Sequence, residues 1–533
     1  MRETPATHPP TPATDTVALD REIELKLRCA PGDLERLRSD PAIAGRASTR
    51  GTIRHLESRY FDTPDLTLHR TGLSLRVRKT GKRFMQTLKS GVSRGTVLAR
   101  GEWETPVDTF TPDLGAIAGQ VADTLLGDGA LSELQPLFAT RVRRHALILR
   151  ETDPASLVAT EIEAAFDIGA VETPQGSEPI AKIELQLRKG SAEALYRIAL
   201  ELEERAALQV ETRSKSARGY AMVTGAPARW HKAGPSELAA DARVDDAFAF
   251  LTKDCLRHWQ INERAALEGI EAEGVHRVRV ALRRLTSLLA LFKSALHPDH
   301  RAVMTTDVKR LLKSFQATRD WDVFLSDILR PVIDSHPGDA GLSWLKAQAI
   351  AEREAAYAAM RETVAARDYA RTFLRLGLWA ESRGWRAAAE AGQQAVLNGA
   401  VEPFARKVLA KRWKKVSRLA KDLAGGDDQA VHRMRLALKK LRYGTHFFRS
   451  LFPGRKMAAY LEAVSGLQDR LGHFNDVAAS RALIGRLLAR PDGDGPAIRQ
   501  AAGLAIGWHS HAAHAARKTL LKSWHALERV RPF

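Results

Sequence analysis

The chain has 533 residues, 44% of them hydrophobic and 27% charged, with 82 Lys+Arg against 63 Asp+Glu. That length allows several packed domains, and no apolar run reaches the ~20 residues that a membrane-spanning helix needs. Two cysteines, Cys29 and Cys255, exclude a disulfide framework or a cysteine metal knuckle and fit a reducing cytoplasm. The charge is uneven: residues 1–220 hold 31 basic and 31 acidic side chains, and the remainder hold 51 and 32, so the whole excess of +19 lies in the C-terminal part. Such asymmetry points to a polyanionic partner: nucleic acid, an anionic membrane surface or polyphosphate.

Residues 1–18, rich in Pro and Thr and lacking an apolar stretch, read as a disordered tail rather than a secretory leader. From about residue 19 to 223 short alternating runs favour strands. The first is Glu22-Ile23-Glu24-Leu25-Lys26, which puts two carboxylates and an ammonium on one face. Exposed, this is a solvated edge; enclosed, the carboxylates would attract a hard divalent cation and the lysine a phosphate. The same logic recurs downstream. Arg76 and Arg78 share a face, Lys89 ends QTLK, and Glu102 and Glu104 flank Trp103. Arg141 and Arg143 share a face, Glu161, Glu163 and Asp167 share parity, and Lys182, Glu184 and Gln186 lie on one side. Either these faces line the outside of a sandwich or they line the polar lumen of a closed barrel. In the barrel, the basic set would grip a phosphate chain and the acidic set would hold Mg²⁺ or Mn²⁺.

EIELK, YFDTPDLTLHRTGLSLRVRKTG, QTLKS, GEWE, FDIGAV, KIELQLRKG and SKSARGY together resemble the ordered motifs of the CYTH domain, the triphosphate tunnel metalloenzyme family, over most of residues 20–222. The resemblance implies an eight-stranded antiparallel β-tunnel that binds inorganic triphosphate or nucleoside triphosphates, in a family whose members hydrolyse tripolyphosphate or thiamine triphosphate, or cyclise ATP. It implies Glu22 and Glu24 as metal ligands completed by Glu184, with Glu102, Glu104 and Asp167 as further contributors. Lys26, Arg76, Arg78, Lys89, Arg143 and Lys215 would hold phosphates, and Arg141 belongs to the same basic set. Glu22, Glu24 and Lys26 would form the catalytic lip. One strand departs from the family pattern, which commonly reads Glu-x-Glu: here it is Lys182-Ile183-Glu184-Leu185-Gln186. A lysine where an acid is expected puts the second metal in doubt and makes binding more secure than turnover.

Residues 224–240 have the composition of a linker, and from 241 to 533 the text is helical. This part contains a repeat, about 243–395 and 396–533. VHRVRVALRRL and VHRMRLALKKLR place His276 and His432 156 residues apart, and RDWDV and FNDV place Asp322 and Asp476 154 apart. Each copy is long enough for about four helices, so a pair of four-helix bundles is expected. His276, Arg279 and Arg283 share one helix face, as do His432, Arg435, Lys439 and Arg442. Val278, Leu282 and Leu285, and Leu436, Leu438 and Leu441, are the apolar residues expected to pack. The run Lys407, Lys411, Lys414, Lys415 and Arg418 reads as a solvated helix side. Zinc is disfavoured because neither histidine has a partner at i+4. Nucleic acid is disfavoured because aromatics are few among the basic residues.

This half resembles the CHAD domain, which implies a basic helical surface for inorganic polyphosphate, with His276, Arg279, Arg283, Arg284, His432, Arg435, Lys439 and Lys440 as the binding residues. Asp322 and Asp476 then orient these bases or cap helices. The resulting expectation is an α+β protein of two domains, cytoplasmic and associated with polyphosphate granules. It would use Mg²⁺, or Mn²⁺, to hydrolyse tripolyphosphate while binding long-chain polyphosphate. The alternatives are a catalytically weak polyphosphate binder, a nucleotide cyclase and a nucleic-acid binder.

Overall fold

The computed structural model describes residues 23–90, 102–113, 115, 133–152, 158–423 and 428–530; Glu22 and the expected tail over 1–18 lie outside them. The chain divides into two compact units. The first comprises the residues up to Lys26, Ala30–Leu195 and Arg213–Thr224; the second comprises Leu27–Cys29, Tyr196–Thr212 and the chain from Gly225 onward.

Among the described residues nine strands form one antiparallel sheet: β1 (Glu24–Arg28), β2 (Thr52–Asp62), β3 (Leu73–Thr80), β4 (Arg83–Ser90), β5 (Glu102–Val107), β6 (Gln135–Thr152), β7 (Ala159–Thr173), β8 (Gly176–Lys189) and β9 (Gln209–Val210). Their order is β5-β4-β3-β2-β6-β7-β8-β1-β9. The count is nine rather than the expected eight because β9, only two residues long, pairs Val210 and Gln209 with Leu27 and Arg28. Two residues carry no alternation, so the sequence gives no strand signal there. The β3–β4 hairpin turns at Gly81, whose φ of 61° favours a residue without Cβ. Gly169 in β7 has a different reason: a Cβ there would meet the Arg141 carbonyl oxygen at 1.9 Å.

Period-two alternation gives β3 an apolar and a polar face. In β3, Leu73, Leu75 and Val77 are buried and pack with Phe61, Leu68 and Leu88. The helix α1 (Pro31–Arg38), begun by a proline at its first position, buries Leu34 and Leu37. Helix α2 is Glu193–Glu203, and α3 is Lys215–Thr224. Tyr220 of α3 joins Leu56, Tyr60, Phe138, Val142, Val171 and Ile180 in an apolar plug. The α3 backbone must come close to that plug, since a Cβ on Gly219 would lie 2.1 Å from the Phe138 ring.

The second unit contains the helices α4 (Val244–Glu268), α5 (Ala272–Leu291), α6 (Pro298–Ser314), α7 (Gln316–Val323), α8 (Ala340–Ala365), α9 (Arg367–Glu381), α10 (Val401–Ala420), α11 (Asp428–Phe448), α12 (Arg455–Leu488) and α13 (Pro496–Arg529). The duplication is visible in their starts. Val244 to Val401, Ala272 to Asp428, Pro298 to Arg455 and Ala340 to Pro496 are offsets of 157, 156, 157 and 156 residues. Four helical elements thus recur at one spacing, and the first repeat carries α9 besides. The third differs: α12 runs unbroken for 34 residues, whereas its counterpart breaks at Phe315 and continues through α7 into a π-helical stretch, Phe324–Leu329. Phe315 is 1% exposed, so the break turns an aromatic ring into the core.

Val278, Leu282 and Leu285 are buried, and the equivalent stripe in α11 is Met434, Leu438 and Leu441, 156 residues on. Leu436, expected to pack, lies off that stripe and is 42% exposed. One large core contains residues of both repeats, among them Phe248, Phe292, Trp413 and Trp524. Beyond Thr224, which ends α3, the stretch expected to be a linker has no helix or strand but is fastened to α4. The Ala228 and His231 amides donate to Glu268 and Asn262 at 2.6 and 2.7 Å, and Ser236 donates to Asp254 at 3.2 Å. Among the described residues no helix is long and apolar enough to cross a membrane.

Candidate functional site

The ladder registers place the charged side chains of the strand unit on common faces. Arg76 pairs across to Thr87, and Thr87 to Glu104. Ser58 lies opposite both Arg78 and Thr140. Arg54 lies opposite Arg144, Arg144 opposite Asp167, and Asp167 opposite Lys182. One polar face therefore carries Arg76, Arg78, Arg144, Asp167, Lys182 and Glu184, and Lys215 reaches it from the first turn of α3.

These groups are hydrogen-bonded to one another. Arg144 donates to Asp167 through Nε and Nη2 at 2.7 and 2.8 Å, and Nη2 also meets Glu184. Lys215 Nζ donates to Asp167 at 2.6 Å, and Lys182 Nζ to Glu184 at 2.5 Å. Burial pushes the Asp167 and Glu184 carboxyls up, but the cations around them more than reverse that and hold both below the usual carboxylate range. Burial lowers Lys215 to about 7 despite Asp167. Burial, then repulsion from Arg76, lowers Arg78 to about 10, and its Nε donates to Ser58 at 3.2 Å. Lys89 pairs with Glu102 at 2.7 Å, and Arg76 stands 3.9 Å from the same carboxylate. A cavity of about 430 Å³ opens beside Arg54, Arg78, Arg144 and Glu163.

Two expected phosphate ligands are placed elsewhere. Arg143 pairs with Glu35 of α1, and Arg141 with Glu172, its exposed side chain 3.9 Å from Glu57. Both have the opposite parity to Arg144. The string Arg141-Val-Arg143-Arg144 offers arginines of either parity, and only the pairing to Asp167 shows which one faces the polar side. Arg144 is the residue that sequence reasoning missed. The signal that could have found it is its place opposite Asp167, which alternation within one strand does not contain.

The described carboxylates of the expected metal site, Glu24 and Glu184, are paired with cations. Among the described residues no three His, Cys, Asp or Glu side chains cluster as metal ligands would. Glu24 pairs with Lys26, Glu184 has a cation on each oxygen, and Glu22 lies outside the described residues. Both Glu184 oxygens are thus on cations, whereas Glu24 meets Lys26 through Oε1.

Asp62 of the YFDT string is fully buried and organises the unit. It accepts from the amides of Thr63, Leu68 and His69 at 2.8, 2.8 and 2.9 Å, and from the Tyr220 hydroxyl at 2.9 Å.

In the helical unit, α5, α6, α7, α10 and α11 bring cations together. His276 is driven down to about 3 by burial and by repulsion from Arg319, Arg277, Arg283 and Arg279. Arg279 donates to the Leu312 carbonyl at 3.0 Å and to Gln316 at 2.6 Å, and Gln316 in turn donates to Asp320 at 2.5 Å. Burial and Arg283 lower Arg279 to about 9. A second group joins Lys440 to Arg412, Lys415 and Lys309, whose charges add to partial burial in lowering Lys440. Among the described residues Arg283, Lys309, Arg319, Arg412, Lys415 and Lys440 pair with no carboxylate. Arg284 departs from its expected role: 5% exposed, it is packed over Phe447 and paired with Asp254 at 2.8 Å. His432 is exposed, Arg435 and Lys439 are half-buried, and the side chain of Asp476 lies outside the description. Asp322 accepts from Arg353 at 2.7 Å and Tyr357 at 3.1 Å, tying α7 to α8.

The CYTH domain model matches residues 20–220 and the CHAD domain model residues 249–485. The chain is a CYTH–CHAD fusion. The CYTH–CHAD chain is 28% identical, over 167 residues, to an inorganic triphosphatase of Haemophilus influenzae; the match covers 31% of this chain and 45% of that protein. It thus spans less than half the length of that curated relative. A CHAD domain from the plant Ricinus communis is similar at 28% identity (TM-score 0.49), covering 57% of this chain and 98% of that one. A Hippeastrum protein with a dominant triphosphatase activity is 19% identical (TM-score 0.28), covering 38% and 96%.

Proposed function

We propose that the CYTH unit binds inorganic tripolyphosphate along its polar strand face and hydrolyses a phosphoanhydride bond, and that the CHAD unit binds long-chain polyphosphate. The observation that carries the first part is the bonded set Arg144, Lys182 and Lys215 on Asp167 and Glu184, with Arg76 and Arg78 alongside. Fixed cations in a partly buried face favour a multiply charged chain and the further charge that develops on its oxygens as the bond breaks. CYTH triphosphatases are generally metal-dependent; a bound Mg²⁺ or Mn²⁺ at Glu22 and Glu24 would supply additional charge stabilisation. Arg76, Arg78, Lys89 and Lys26 hold and orient the phosphates in this reading. The unpaired cations of the helical unit support the second part, since a phosphate chain without bases needs only positive charge. A cytoplasmic place beside polyphosphate granules belongs to the same reading.

The test is phosphate release from tripolyphosphate with Mg²⁺ by the purified chain. Release no greater than that of a Glu22→Gln/Glu24→Gln control would end the catalytic claim. The second reading, a polyphosphate binder with weak turnover, is favoured by the Lys182–Glu184 pair. It expects salt-sensitive binding that survives loss of both glutamates and collapses when Arg283 and Lys440 become alanine, with duplex DNA failing to compete.

A further inference from the structure

Glu184 is surrounded by cations. Its Oε1 takes Lys182 Nζ at 2.5 Å, and its Oε2 takes Arg144. Asp167, fully buried on the same face, takes Arg144 at 2.7 and 2.8 Å and Lys215 at 2.6 Å. Two carboxylates thus face three cations, and neither keeps an oxygen free of one. A divalent ion at Glu184 would have to share an oxygen with a cation and sit among like charges. Lys182 itself is 4% exposed, so its charge is held in place by Glu184 rather than by water.

Resting on the triphosphate-binding reading above, we propose that Glu184 and Asp167 are anchors for Lys182, Arg144 and Lys215 rather than metal ligands. In this arrangement the Lys182 ammonium contacts a phosphate oxygen of the bound chain, supplying there the positive charge that a second ion would. The cradle is already charged and oriented before substrate arrives, and it binds tripolyphosphate without metal. Glu184 is a positioning residue in this scheme; Lys182 touches the ligand.

Two measurements on the full chain test it. Calorimetry with tripolyphosphate in EDTA should show binding by the wild type, retention in Lys182→Arg and at least a tenfold loss in Lys182→Gln. Electron paramagnetic resonance of Mn²⁺ with tripolyphosphate should show no spin-coupled ion pair in the wild type. It should show one in Lys182→Glu, where a carboxylate replaces the ammonium. A coupled Mn²⁺ pair in the wild type, or equal affinity of folded Lys182→Gln and wild type in EDTA, would overturn the proposal while leaving triphosphate binding intact. Wild-type chain that binds no tripolyphosphate with or without metal would instead remove the underlying reading, and the proposal with it.

Discussion

Arg143 and Arg144 are adjacent, both basic and on opposite faces of β6, so their substitution separates the two possible registers of the site. Arg144 makes contacts to buried Asp167 and half-buried Glu184, and removing it leaves both short of a partner. Breaking such a pair costs about 3–5 kcal/mol of stability. A lost charge-assisted hydrogen bond to phosphate costs about 1.5–3 kcal/mol, which is roughly 10- to 100-fold in affinity. Arg143 pairs with Glu35 at the surface, both side chains about two-fifths exposed at 41% and 42%. Such a pair is worth about 0–1 kcal/mol. Arg143→Met should therefore melt close to the wild type and bind tripolyphosphate with unchanged affinity by calorimetry. Arg144→Met should fail on both counts, and Arg144→Lys, which keeps the charge but not the two-pronged contact to Asp167, should recover part of the affinity. A tenfold loss in Arg143→Met, with wild-type affinity in Arg144→Met, would refute the assignment of faces.

His276 gives a pH test. Its folded pKa of about 3 lies below the ~6.5 of an unfolded histidine. The unfolded chain therefore takes up the proton first as pH falls. The cost is absent above about pH 6.5 and grows by about 1.4 kcal/mol per unit between there and pH 3. Urea unfolding should show a shallower acid loss for His276→Gln than for the wild type, and parallel curves would contradict the placement. Tyr220→Phe removes one donor from buried Asp62 and should cost about 1.5–3 kcal/mol by thermal melting; an unchanged melt would show that this bond contributes nothing. Arg412→Ala and Lys440→Ala should each reduce the salt slope of polyphosphate binding by about one, and slopes equal to that of the wild type would place the polyanion elsewhere.

Alternation and periodicity carried much of the architecture. The last three residues of EIELK begin β1, LSLRVRKT and KIELQLRK lie in strands, and the repeat read from His276 and His432 reappears in the starts of all four helix pairs. What alternation cannot supply is which parity faces the site. In β6 both parities contain arginine, and the choice is made by cross-strand pairing to Asp167, a contact 23 residues away. Arg284 shows the helical version of the same limit. It sits beside Arg283 in sequence, yet one step around the helix takes it from the cation cluster into the core with Asp254. Arg412 was invisible for the opposite reason: it lies within a run of exposed basic residues, and only packing half-buries it near Lys440. The roles of YFDT and SKSARGY follow from one hydrogen bond, Tyr220 to Asp62, which neither string implies alone.

That bond spans 158 residues. A growing chain exposes the Asp62 turn long before it contains the hydroxyl that completes it, and the plug of Tyr60, Phe138 and Val171 also waits for the Tyr220 ring. Contacts of such long range are slow to form and leave apolar strands uncovered meanwhile. The strand unit therefore completes its folding only after residue 220 has been synthesised, and any excised version that stops short of that residue will carry a buried carboxylate with an unfilled side and an open apolar plug.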